Sequence, residues 1–76
     1  MLHVEIKCFP GRTEEQKKAC AEKIAQALIH TMGCNNASIS IAIKEVAEKD
    51  WKSEVWDKSI VAEKEFLIKH PDYVCE

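Results

Sequence analysis

At 76 residues, a folded monomer buries only roughly 60% of the surface its unfolded chain exposes, so help from a partner, a metal or disulfides is expected. An apolar fraction of 46% beside 32% charged residues describes an ordinary soluble globular domain, and a net charge of −2 offers phosphate backbones nothing to attract. No run approaches the roughly 20 apolar residues that span a bilayer, so neither nucleic acid nor a membrane is expected as a partner.

From Leu2 to Cys8 the residues alternate, with Leu2, Val4, Ile6 and Cys8 on one face and His3, Glu5 and Lys7 on the other, which predicts a half-buried strand. Phe9-Pro10-Gly11-Arg12 breaks the pattern. Thr13 followed by Gln16 reads as a capping box, and Glu14 and Glu15 suit the positive end of a helix dipole. Cys20, Ile24, Ala27, Leu28 and Met32 then recur at helical spacing up to Gly33, predicting a helix of about 19 residues. Ser38 to Val46 alternates again through Ile39, Ile41 and Ile43, a second strand.

Ala47 to Ser53 is a polar connection carrying Trp51. Val55, Trp56, Ile60, Ala62, Phe66 and Leu67 predict a second helix that ends before Pro71, and residues 72–76 are expected to be loose. The whole is one domain, residues 1–76, of β-α-β-α layout. A helix between two strands predicts a parallel pair with a right-handed crossover. Such a pair leaves strand edges open, and another subunit has to supply the missing cover.

The four cysteines, Cys8, Cys20, Cys34 and Cys75, lie 12, 14 and 41 positions apart with no C-x-x-C and no histidine at ligand spacing. Neither zinc nor a disulfide scaffold is indicated, and a cytoplasmic protein with reduced thiols is the simplest reading. Cys8 and Cys20 fall on the apolar faces, as small hydrophobes do.

The runs Leu2-His3-Val4-Glu5-Ile6-Lys7-Cys8-Phe9-Pro10, Gly11-Arg12-Thr13-Glu14-Glu15-Gln16-Lys17 and Ser38-Ile39-Ser40-Ile41-Ala42-Ile43 resemble the 4-oxalocrotonate tautomerase family. With Trp51, Trp56 and Ile68-Lys69-His70-Pro71, they are similar to its PptA-like branch, and the resemblance covers essentially the whole chain. It implies a cofactor-free isomerase that moves a proton between oxygen and carbon of a small enol or 2-oxo carboxylic acid, using the secondary amine of an N-terminal proline. That position here is Leu2. Methionine excision needs a small second residue, so Met1 is expected to remain and to offer a primary amine displaced by up to ~3.5 Å along the strand. The resemblance places Arg12 as a carboxylate binder and Trp51 as the apolar pocket wall. The family's second substrate arginine falls at Ser40. A homo-oligomer is implied, a dimer rather than a hexamer. Two functions follow: a tautomerase of weak activity, or a non-catalytic oligomer on the same scaffold that binds or interacts.

Overall fold

Strict alternation gives the first strand, β1 (Leu2–Cys8), and the isoleucine row gives the second, β2 (Ile39–Glu45). The computed structural model describes residues 1–76, and the chain forms two compact units, Met1–Glu45 and Val46–Glu76. In the first unit the strands pair in parallel with Leu2 opposite Ile39, His3 opposite Ser40, and so on to Cys8 opposite Glu45. This register lines up the row Leu2, Val4 and Ile6 with Ile39, Ile41 and Ile43, and puts His3, Glu5 and Lys7 beside Ser40, Ala42 and Lys44.

The connecting helix α1 (Glu14–Met32) starts where its chemistry says it should. The Gln16 backbone N–H donates to Thr13 Oγ1 at 3.1 Å and the Thr13 N–H donates to Gln16 Oε1 at 2.8 Å, satisfying two of the otherwise orphaned amides. Gly33 ends the helix in the left-handed region at φ 69°, where a side chain would be strained. Beyond it, Asn35 Oδ1 accepts from the Ser38 N–H at 3.1 Å and caps a short 3-10 turn, Asn36–Ser38. That turn takes Ser38 out of the second strand, which therefore starts one residue later than alternation predicts.

The buried stripe of α1 is rotated from the predicted one. Lys17, Ala21, Ile24, Ala25, Leu28 and Ile29 are withdrawn from solvent, whereas Cys20, Ala27 and Met32 are exposed. Lys17 is the reason at the N-terminal end: its stem lies down while its ammonium reaches Glu45 at 3.4 Å and Glu14 at 3.5 Å.

In the second unit the helix is shorter than its apolar pattern predicts and differently wound. It runs from Lys52 to Val61 as a π-helix, with the Ala62 N–H donating five residues back to the Asp57 carbonyl at 3.2 Å. The withdrawn positions, Trp51, Val55, Trp56, Ser59 and Ile60, repeat at four and five residues. A winding of about 3.6 residues per turn spreads that set over about half of the circumference, while i→i+5 bonding draws it into a narrower arc. The helix stops before Ala62 and Phe66 can join the stripe; Phe66 lies in a separate 3-10 turn, Lys64–Phe66, and is 74% exposed.

Val55, 5% exposed, is the one buried hydrophobic residue. Phe66, Ile68 and Val74 are 74%, 100% and 76% exposed, and a chain with so little buried apolar surface is expected to gain cover from another copy. Sedimentation velocity at micromolar concentration is therefore expected to find an assembly with no stable folded monomer. A folded monomer as the main species overturns this expectation.

Candidate functional site

The expected site residues fall into three places. Leu2 heads β1 opposite Ile39, next to a fully exposed Met1. One position further, the register sets His3 against Ser40, and His3 Nδ1 lies 2.7 Å from Ser40 Oγ. Met1, Leu2, His3 and Ser40 thus gather at the N-terminal end of the strand pair.

Arg12 stands at the other end. It follows Cys8, the last residue of β1, and its Nη1 donates a long 3.4 Å hydrogen bond to the Phe9 carbonyl. Six steps of strand separate Leu2 from Cys8, roughly 20 Å. One chain therefore does not bring its own N-terminus and its own Arg12 to a single small carboxylate. Arg12 lines a hollow of about 340 Å³ with Ile6, Ile43, Cys8, Cys20, Gln16 and Lys17. Apolar walls beside a guanidinium with most of its five donors uncommitted suit an organic carboxylate. Cys20 is exposed rather than packed as a core hydrophobe, and all four cysteines are free thiols.

Charges along the polar face are paired off. Glu5 meets Lys44 at 3.2 Å and Lys7 at 4.0 Å, and the hydrogen bond and charge of Lys44 hold its carboxyl below the ordinary value. For Lys17, the burial of its stem works against the charged form, but the hydrogen bond and charge of Glu45, with Glu14 behind, raise the ammonium above its ordinary value. Lys17 is thus engaged by two carboxylates, which leaves Arg12 as the cation of the hollow best able to take a ligand.

Trp51 lies in the second unit, immediately before the π-wound helix. Its indole N–H donates to the Tyr73 hydroxyl at 3.3 Å, and the Tyr73 ring sits 5.2 Å from that of Trp56 at a 46° tilt. The end of the chain, expected to be loose, is therefore tied to both tryptophans by Tyr73. Nothing in the local pattern of residues 72–76 marks Tyr73. The His3–Ser40 pair was legible only once the register was known. No group of three or more His, Cys, Asp or Glu side chains converges to hold a metal ion, and no helix is long and apolar enough to cross a membrane.

Comparison with known proteins gives consistent matches. The family model described as "Tautomerase enzyme" matches residues 3–58, a stretch that runs through both units. Tautomerase PptA of Enterobacter sp. (strain 638) is 43% identical over 74 residues, 96% of this chain and 97% of its own. Tautomerase PptA of Escherichia coli O139:H28 is 39% identical over the same span, and that of Cronobacter sakazakii 35%. Among solved structures, YwhB, a homologue of 4-oxalocrotonate tautomerase, superposes with a TM-score of 0.60 at 34% identity, covering 62% of this chain and 77% of that one.

Proposed function

The chain belongs to the tautomerase family, and from that premise we propose that it is an oligomeric tautomerase-like isomerase that moves a proton between oxygen and carbon of a small enol or 2-oxo carboxylic acid. The observation that carries this reading is the likeness to proteins named tautomerases over nearly the full length of both chains. Arg12 supports it chemically. It is the only arginine in the sequence, and in its partly apolar hollow it binds the carboxylate through paired N–H donors. In the proposed assembly the N-terminal end of one copy meets Arg12 of another, because a single chain holds them at opposite ends of β1. Residues 1–76 act as one subunit, with Trp51 as an apolar wall of the pocket. No metal or organic cofactor enters the reaction.

Leu2 slows the chemistry, since it stands at the family's proline position and leaves no secondary amine there. The test follows ketonisation of an aryl 2-oxo acid's enol by its loss of ultraviolet absorbance, with the intact mass of the same sample. A rate above the buffer blank, with Met1 still present, is expected. A rate equal to the blank favours the second reading, an oligomer that keeps the anion pocket for binding alone; Leu2 is the residue behind that reading.

A further inference from the structure

We propose that His3 is a catalytic acid–base group of this site, with Ser40 as the positioning residue that holds its ring; the proposal rests on the tautomerase reading above. The geometry comes first. His3 Nδ1 and Ser40 Oγ are 2.7 Å apart across the strand pair, one position from Leu2, so the imidazole is fixed at the end of the sheet where the family's base is missing. The nearest carboxylate on that face, Glu5, is committed to Lys44 and Lys7. The second ring nitrogen, Nε2, makes no hydrogen bond within the chain.

With Nδ1–H donating to the Ser40 hydroxyl, Nε2 carries the lone pair and points away from the bond that holds the ring. Ser40 accepts equally well from the neutral ring and from the imidazolium, so the hydrogen bond survives both halves of a proton transfer. A side chain that keeps its orientation while its charge changes is what a one-base mechanism requires. A hydroxyl at position 40 serves this role where an arginine would repel the imidazolium.

The step balances without a co-reactant. His3 Nε2 takes the hydroxyl proton of the enol, and the O–H electron pair becomes the carbonyl π bond. The C=C pair then forms a C–H bond with the proton returned from Nε2, leaving neutral imidazole and the 2-oxo acid. The reverse sequence exchanges the carbon-bound proton with solvent. Arg12 of another copy holds the carboxylate meanwhile.

A cross-strand His–Ser contact that merely trims the sheet is the alternative, and the variants separate the two. His3→Gln keeps a side chain able to hydrogen-bond Ser40 but has no titratable nitrogen; its kcat for ketonisation is expected to fall by about 100-fold with KM within about threefold. Ser40→Ala is expected to lower kcat by about tenfold, and added imidazole should restore part of the activity of His3→Ala. Deuterium incorporation at C3 of the 2-oxo acid, read by NMR, should follow the same order. Circular dichroism and sedimentation check that each variant folds and assembles. If the parent is active and His3→Gln matches it within about twofold, or imidazole rescues nothing in folded His3→Ala, the proposal is overturned while the tautomerase reading stands. A parent at the buffer rate overturns both.

Discussion

Leu2→Pro is expected to raise enol ketonisation by at least about tenfold over the parent, toward the 10²–10⁴-fold range that a positioned general base contributes. Proline as the second residue permits removal of Met1 and leaves a secondary amine at the head of β1, the atom that the present chain lacks. Leu2 is the first residue of its strand, where a proline forfeits no essential ladder bond, so the strand pair should tolerate it. The gain depends on a second copy presenting Arg12, because the amine and the guanidinium of one chain lie at opposite ends of β1. Mass spectrometry must show an N-terminal proline and sedimentation an unchanged assembly before the rate is read. An unchanged rate in such a protein means that the obstacle is the pocket and not the base. Combined with His3→Gln, Leu2→Pro should also keep most of its activity, since the new amine takes over the proton transfer.

Arg12→Ala is expected to weaken binding of a small carboxylate by about 1.5–3 kcal/mol, the usual worth of a hydrogen bond to a charged group, which is roughly a 10- to 150-fold loss of affinity. Stability should hardly change. Arg12 is exposed, and its one hydrogen bond within the chain, to the Phe9 carbonyl, is 3.4 Å long. Arg12→Lys should fall between, since an ammonium keeps the charge but loses the planar fork. Calorimetric titration with a simple aryl carboxylate reads all three proteins. Equal affinity in the parent and Arg12→Ala would show that the guanidinium is a solvated turn residue and that the hollow beside it is not the anion site.

Much of the first unit is written locally. The alternation of Leu2 to Cys8 is a strand at the residues predicted, and the Thr13–Gln16 box and Gly33 bound a helix of 19 residues as read. Each of these signals works within a few positions of its own backbone, through an amide that needs an acceptor or a φ that only glycine adopts without strain. The parallel pairing followed from the long connection between the strands. Membership of the tautomerase family, and the absence of a proline after Met1, were likewise plain in the linear order of residues.

Other features depend on partners far away in the chain. Apolar spacing placed the α1 stripe on Cys20 and Met32, but the helix rolls so that the Lys17 stem lies down and its amine reaches Glu45, 28 residues on. In the second unit the apolar spacing predicts an α-helical period, whereas the chain winds with i→i+5 bonds and withdraws Trp51, Val55, Trp56 and Ile60 together. Tyr73 had no local mark and is held by two tryptophans. For the site the division is the same. The family resemblance carried by the sequence named Leu2, Met1, Arg12, Ser40 and Trp51 as the positions of the site. That Arg12 stands past the far end of β1 from the N-terminus follows from the length of the strand and was already in the linear order. Only the tertiary structure decided that Ser40 holds His3, a consequence of register, which sets positions 37 residues apart against one another through a whole ladder of backbone bonds and leaves no trace in the spacing of either strand alone.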